Sequence, residues 1–325
     1  MPIRRCAIQV ILACLVPLAS SFGADIKLLK AVSDHFEVYT TDNEVAAKAI
    51  LEQFEPVRSY LLKATGSADP ATGPIRIFDF KSGGDFGTYK PKGAGDIAAF
   101  STKTEDRVAI VVSGFKQEAQ EAAMREYVTL VLDHSAPKLP YWLKLGFTEL
   151  YCTLRVDQGG GALTLGLAPF RSYRAEGAPD LNLSVLMSLK GGAATDSAQT
   201  IFNAQAQNKA FGAQDGQGMV AAGMVQDYPL IAFQLVHMLM FDKRYGAQFG
   251  AFVSALAGGA ESVATIGSIY NQSLIGLGQD LALHMKMPLA LVHPKIQLER
   301  PVAPQIAQLS AADSAPLLAD LKAAR

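Results

Sequence analysis

The sequence predicts an α+β fold, in which a small mixed sheet is followed by a helical half. Segments with the alternation or the β-branched composition of strands lie at residues 35–40, 75–80 and 108–112. Long segments with apolar residues at helical spacing follow at residues 117–134 and 140–153. A chain whose strands come first and whose helices come later favours α+β over alternating α/β architecture.

The other predicted elements rest on local signals. Asp42 and Asn43 offer an N-cap to a helix at residues 45–63, which Gly66 ends. The remaining predictions are a glycine-rich turn at 83–84, a weak strand at 98–100, a short strand at 162–165, a loosely structured excursion at 171–217 with a short helix at 183–189, helices at 229–242, 245–256 and 273–285, and a terminal helix at 312–324.

Composition is that of a globular protein and argues against a nucleic-acid partner. Half of the 325 residues are hydrophobic, and 29 basic residues face 30 acidic ones. No positive surplus is therefore present to hold a polyanion, and no basic run is interleaved with aromatic residues. We expect no nucleic-acid partner.

The N-terminus is typical of a secretory signal peptide that covers residues 1–24. Two arginines precede an apolar run at residues 6–19, and small residues follow it. This run is too short for a membrane-spanning helix, and we expect no integral membrane span elsewhere. The sequence therefore predicts export to the periplasm or the cell exterior. A lipoprotein anchor at Cys14 is the less favoured alternative, because the apolar run continues past it.

The mature chain divides into three predicted parts. Residues 25–116 form an N-terminal α/β part with the sheet, residues 117–286 a helical part, and residues 287–325 a tail that prolines break. Cys152 is the one cysteine left after the signal peptide, so an internal disulfide cannot form. We expect its side chain to be buried as a small apolar group.

Two glutamates in the helical part have the spacing of a zinc-peptidase site. A zinc peptidase places histidine ligands at helix positions i and i+4 and a glutamate, the general base, at i+1. Here these positions hold Arg125, Thr129 and Glu126 in turn. The position of the base is kept, and both imidazoles are missing.

Residues 35 to about 256 resemble the peptidase-MA-like, or gluzincin, domain of secreted bacterial proteins. Such domains carry His-Glu-Tyr-x-His, a nearby histidine, and Leu-Pro-x-Trp-Leu-x-Glu-Gly-x-x-Glu. The residues that match are Glu126, Tyr127, His134, Leu139, Pro140, Trp142, Leu143, Gly146 and Glu149, and the segment 235–239 resembles a further helix of the family. The residues that depart from the pattern are Leu145, Pro229 and Ile231.

This resemblance implies a zincin-like fold with remnants of a metal site. Glu126 would be a vestigial general base, and Arg125, Thr129, Glu149 and His134 would occupy remnant metal-site positions. Only Glu149 survives of the three ligands, and a guanidinium repels a divalent cation. We therefore expect neither zinc nor another cofactor.

Arg125 has two interpretations. It can bridge Glu126 and Glu149 through its planar guanidinium and so replace the charge of the zinc. Alternatively, it is an exposed arginine on an amphipathic helix. Asp133 is a conceivable substitute ligand, although it would require a different metal position.

These observations predict an exported, catalytically inactive metallopeptidase-like protein that serves as a peptide- or protein-binding or scaffold domain in the cell envelope. Its partner would be an envelope protein or an extended peptide added along the strand at residues 108–112. An active or atypical zinc metallopeptidase with non-standard ligands is the alternative, and a purely structural envelope component is a third. His237, in an apolar run, is expected to be a hydrogen-bonded core imidazole.

Overall fold

Six strands form a mixed sheet that carries helices on both faces, and the fold is α+β as the sequence predicts. A computed structural model describes residues 26–71, 73–104, 107–156, 162–170, 183–189, 217–295 and 303–324. The predicted signal peptide and most of the 171–217 excursion lie outside these ranges. Among the helices in these ranges, none is long and apolar enough to cross a membrane.

The elements lie in the following order. The strands are β1 Leu29–Val32, β2 Phe36–Thr40, β3 Ile75–Asp79, β4 Ala99–Lys103, β5 Val108–Val112, β6 Arg155–Val156, β7 Leu163–Thr164 and β8 Gln305–Gln308. The helices are α1 Glu44–Thr65, α2 Gly83–Tyr89, α3 Gln117–Ser135, α4 Tyr141–Tyr151, α5 Leu183–Ser188, α6 Gln217–Phe241, α7 Gly246–Ala257, α8 Ser262–Tyr270, α9 Leu274–His284 and α10 Ala311–Ala323.

The long predicted elements are present, and the differences concern short ones. Strands β1, β6 and β8 and helices α2 and α8 have no predicted counterpart. The predicted turn at 83–84 instead begins α2, because the Ser82 hydroxyl accepts hydrogen bonds from the amides of Gly84 and Asp85 and so caps a helix. Helix α6 begins at residue 217 and contains Pro229, where the sequence predicted its start.

The sheet has the strand order β4-β5-β3-β2-β1-β8. Strands β2, β3 and β5 run parallel, while β1, β4 and β8 pair antiparallel with their neighbours. Strand β5 is thus paired on both sides, by β3 and by β4. The prediction that a peptide adds along residues 108–112 is therefore wrong, because β5 has no free edge. The edge strands are β4 and β8.

One face of the sheet packs against α1 and α3 in the larger core. Phe36 on β2, Phe54 on α1 and Tyr127 on α3 meet edge to face, with ring centroids 5.3 to 5.8 Å apart. This contact joins one strand to the two helices that lie on it. It fixes α3 over the sheet.

Helix α4 packs directly on α6 because Gly146 lacks a side chain. A Cβ atom at this position would lie 2.4 Å from Cγ2 of Val236 and 2.6 Å from the carbonyl oxygen of Ala232. The close approach holds α4 between α3 and α6. Trp142 on the same helix is fully buried, and its indole N–H donates to the hydroxyl of Ser262 on α8.

The C-terminal tail completes the sheet rather than trailing from it. Strand β8 pairs with β1 at one edge, and the predicted terminal helix is present as α10. Leu321 of α10 is buried on the second face of the sheet among Phe78, Phe80 and Phe100. At the opposite edge the Thr102 hydroxyl donates a 2.6 Å hydrogen bond to the carbonyl oxygen of Ala324. The tail therefore spans the sheet from one edge to the other.

We expect Leu321→Ala to lower the free energy of unfolding by about 3 kcal/mol, because it leaves a cavity under α10. Urea denaturation measures this loss. The matched control is Leu283→Ala, whose side chain is exposed, with an expected change of less than about 0.5 kcal/mol. Equal losses in the two variants would contradict the packing of α10 on the sheet.

Candidate functional site

The two helices that carry the motif residues are joined by the short connection 136–140. Pro140, with a φ of −55°, immediately precedes α4, and its carbonyl oxygen accepts from the amides of Leu143 and Lys144. Proline suits this place because it has no N–H to leave unpaired at a helix start. The connection turns the chain so that α4 packs beside α3.

Arg125 of α3 and Glu149 of α4 form a buried ion pair. The guanidinium Nε lies 3.1 Å from both Oε1 and Oε2 of Glu149. The carboxylate is 1% exposed and the arginine side chain 17% exposed. The interpretation of Arg125 as an exposed surface residue is therefore wrong, and the predicted contact with Glu149 is confirmed.

The predicted bridge from Arg125 to Glu126 is not formed. Glu126 points to the edge strand β4, where its Oε2 accepts the backbone N–H of Ser101 at 3.1 Å and the hydroxyl of Ser101 at 2.7 Å. Successive residues of a helix diverge by about 100°. Arg125 therefore faces α4 while Glu126, one residue later, faces the sheet. The two glutamates are not left to repel one another across a common site.

Glu121 is the second carboxylate beside Arg125, and the sequence reasoning missed it. Its Oε2 lies 3.6 Å from Nη2 of Arg125 and accepts the backbone N–H of Phe170 at 2.8 Å. Its Oε1 accepts from Nη2 of Arg155 at 2.8 Å. The spacing of four residues between Glu121 and Arg125 was a usable signal, since such residues share a helix face.

These side chains form a chain of alternating charge, which we call the Arg125 network: Glu149, Arg125, Glu121 and Arg155. Both carboxylates are 1% exposed. Its four formal charges sum to zero, so neither buried carboxylate is left without an opposite charge. The network ties α3 to α4 and to the segments that carry Arg155 and Phe170.

The other predicted site residues stand apart from this network. Thr129 lies one turn beyond Arg125 and is partly exposed, and His134 is exposed in the last turn of α3. Asp133, the conceivable substitute ligand, accepts a 2.6 Å hydrogen bond from Nζ of Lys144. In the described ranges, no hydrogen bond or ion pair connects Thr129 or His134 to Arg125.

Cys152, which follows α4, has the structural role that the sequence predicts. It is fully buried, and its thiol donates to the carbonyl oxygen of Glu149. Burial raises the pKa of the Cys152 thiol to about 11. The side chain is therefore a protonated thiol at neutral pH and a poor nucleophile.

The residues present do not fit a zinc ion. Of the three positions implied as ligands only Glu149 bears a suitable group, and Arg125 holds its carboxylate. Over the described residues, no three or more His, Cys, Asp and Glu side chains are grouped so as to hold a metal. The arrangement binds α3 to α4 by charge, and we derive no metal-dependent step from it.

Comparison of the chain with family models, with curated proteins and with solved structures gives no match. The resemblance to the gluzincin domain therefore depends on the motif residues alone. The contact between Arg125 and Glu149 bears on it, because the resemblance implies that these two positions face each other across the metal site.

We expect Arg125→Met to lower the free energy of unfolding by about 3 kcal/mol, because it removes the guanidinium that contacts both oxygens of the buried Glu149 carboxylate. Urea denaturation is the measurement. Lys48→Met is the matched control, since Lys48 forms an exposed pair with Glu44 on α1 and its loss should cost under about 0.5 kcal/mol.

A double-mutant cycle tests whether this loss of stability arises from the interaction between Arg125 and Glu149. Adding Glu149→Gln to Arg125→Met should recover part of the loss, because the uncompensated charge is then removed. Strictly additive losses of the two substitutions would contradict a direct interaction of Arg125 with Glu149.

Proposed function

We propose that this chain is an exported, catalytically inactive protein of the zincin fold, in which Arg125 replaces the catalytic metal, and that it acts as a scaffold or protein-binding domain in the cell envelope. The observation that carries the proposal is the contact of Nε of Arg125 with both oxygens of Glu149 at 3.1 Å. In the resembled family these two positions are those of the first and third zinc ligands.

The physical argument concerns the charge on α4. A carboxylate as buried as that of Glu149 requires a cation or several hydrogen-bond donors to remain ionised. In a zinc peptidase the metal supplies this charge. A guanidinium supplies it here without an ion, because it is always protonated and its planar fork can contact both oxygens.

The surroundings of Glu126 argue against catalysis. A general base needs a lone pair directed at a water molecule or a substrate proton. One oxygen of Glu126 instead accepts two hydrogen bonds from Ser101, and the residue is 6% exposed. Among the described residues, no metal-binding group lies beside this carboxylate to hold the water that a general base would deprotonate.

The same contact favours a scaffold over a peptide-binding cleft. The backbone N–H of Ser113 donates to the carbonyl oxygen of Ala98, and the N–H of Thr104 donates to that of Arg107. Because the direction of the backbone groups alternates along a strand, those of Ala99, Ser101 and Lys103 face away from β5. An extended peptide added to β4 would need the N–H of Ser101. Glu126 already occupies it and closes the middle of this edge.

Export is the second component of the proposal and rests on the layout of residues 1–24 alone. A mature chain whose one cysteine is buried and protonated is compatible with an oxidising space, because no exposed thiol is available to react. We propose a periplasmic or extracellular location on these grounds.

Rebuilding the metal site tests the zincin geometry. We expect Arg125→His combined with Thr129→His to bind stoichiometric zinc, because two imidazoles would then join Glu149 around one position. Elemental analysis after dialysis measures the metal. Without zinc this variant should be less stable than the natural protein, and zinc should restore its melting temperature.

The control for this experiment adds Glu149→Ala to the rebuilt site, which should abolish stoichiometric binding. A rebuilt variant with the circular dichroism of the natural protein but no zinc would overturn the zincin geometry. Stoichiometric zinc in the natural protein, together with a peptidase activity that Glu126→Gln abolishes, would overturn the proposed inactivity.

The closed edge of β4 gives a separate prediction. Glu126→Ala should raise the hydrogen-exchange rate of the Ser101 amide at least about tenfold, since a bond to a charged acceptor is lost. Glu126→Gln is the matched control, because its amide oxygen still accepts from Ser101. Unchanged exchange in Glu126→Ala would show that the carboxylate does not close this edge.

A further inference from the structure

The segment of residues 288–295, which follows α9, is docked against the end of β7. Leu165 and Val292 exchange two backbone hydrogen bonds, each 2.9 Å long. Oγ1 of Thr164 lies 3.3 Å from Nδ1 of His293. We call residues 288–295 the docked segment. Leu289 of this segment also packs against the larger core.

Gly166 makes room for the docked segment. This residue has a φ of +99°, and a Cβ atom there would lie 2.3 Å from the carbonyl oxygen of Ala290. It would also lie 3.4 Å from Nε2 of His237. The backbone at Gly166, the docked segment and the imidazole of α6 therefore meet at one point.

His237 holds the docked segment from the core side. Its ring is fully buried, and Nε2 lies 3.1 Å from the carbonyl oxygen of Ala290. A carbonyl oxygen only accepts, so Nε2 must carry the hydrogen. In the neutral ring Nδ1 is then a bare acceptor, and it lies 3.0 Å from Nε2 of His284. The His284 nitrogen must therefore donate.

This arrangement limits the number of protons that the pair can hold. One added proton fits on Nδ1 of His284, because both hydrogen bonds of His237 survive. A second added proton must go to Nδ1 of His237, where it would oppose the N–H of His284 across 3.0 Å. Two positively charged rings then face each other with an N–H donor on each side. The contact between His237 and His284 is therefore broken, because one ring has to move away from the other.

The surroundings provide no anion for the charged form of His237. The rings of Phe233 and Phe241 flank it, with centroids 5.7 and 4.8 Å away. Near His284, Asp242 and Arg244 act in opposite directions on its pKa. Asp280 of α9 is engaged by Arg244 and the hydroxyl of Tyr245. Among the described residues, neither histidine has an ion pair with a carboxylate.

Burial is the main cause that lowers the pKa of His237 to about 4. The hydrogen bond to Ala290 opposes this shift and the nearby His284 adds to it. Burial likewise lowers the pKa of His284. In the proposed undocked form both rings are exposed to water, and their pKa values would then return toward the ordinary value near 6.5. The undocked form then binds more protons than the docked one. The free energy of docking is thus most favourable above about pH 6.5 and becomes less favourable as the pH falls. Below about pH 4 it changes no further.

We propose that His237 and His284 form a proton-operated latch, which holds the docked segment against Gly166 at neutral pH and releases it in acid. The docked segment leads toward the tail that completes the sheet with β8 and α10. Its release would alter the connection between the helical half and this tail. The latch uses side chains other than those of the Arg125 network and does not depend on the function proposed above.

Hydrogen exchange of the Leu165 and Val292 amides, corrected for the intrinsic effect of pH, tests the latch. From the pKa values of about 4 and 6.5, we expect their protection to fall about 30-fold between pH 7.5 and pH 5. Amides of β2, in the middle of the sheet, should remain protected at both pH values. Unchanged protection of Val292 would overturn the proposal.

Two variants separate titration from structure. His237→Gln keeps an N–H for Ala290 and removes the titrating ring, so the fall in protection should largely disappear. His134→Gln, at an exposed ring in the last turn of α3, is the matched control and should retain the fall in protection. If His237→Gln does not fold, His284→Gln replaces it, and the fall in protection should become smaller because no second imidazolium then faces His237. A folded variant at either position with the full 30-fold fall would overturn the latch.

Discussion

The helical half of this protein depends on the charge of one buried carboxylate, that of Glu149. Its helix, α4, is buried on nearly every side between α3 and α6, and the carboxylate is 1% exposed. Such a group destabilises the fold unless an opposite charge is held beside it. Arg125 provides that charge, and the carboxylate of Glu121 lies beside Nη2 of the same guanidinium. The packing of α4 is therefore inseparable from the side chain at position 125.

The divergence of neighbouring side chains on α3 lets one stretch of helix contact both halves of the molecule. Arg125 contacts α4, and Glu126 binds the edge strand β4. Tyr127 then packs on Phe36 of β2. Three consecutive residues thus hold α3 to the helical half, to the sheet edge and to the core. In a metallopeptidase the first two would serve one metal site, whereas here they stabilise different interfaces.

Local signals made the long elements and the contact of Arg125 with Glu149 predictable, because helical spacing and motif position fix them. Strand β8 was not predictable in this way, since its four residues are largely exposed and become a strand by pairing with β1. The direction of Glu126 was missed because the motif implied one shared centre. The anchoring of Glu121 depends on Phe170, 49 residues away, which no periodicity reveals.

Two buried polar clusters stabilise the helical half, and they differ in how they respond to acid. The Arg125 network uses guanidinium groups, which stay charged at any physiological pH, so its cationic side is permanent. The His237–His284 pair is held only while at least one ring is neutral. A protein that needed rigidity alone would gain nothing from a buried titratable pair at the second place. The fixed charge therefore suits the interface between α3 and α4, whereas the titratable pair suits a contact that, as proposed, is released in acid.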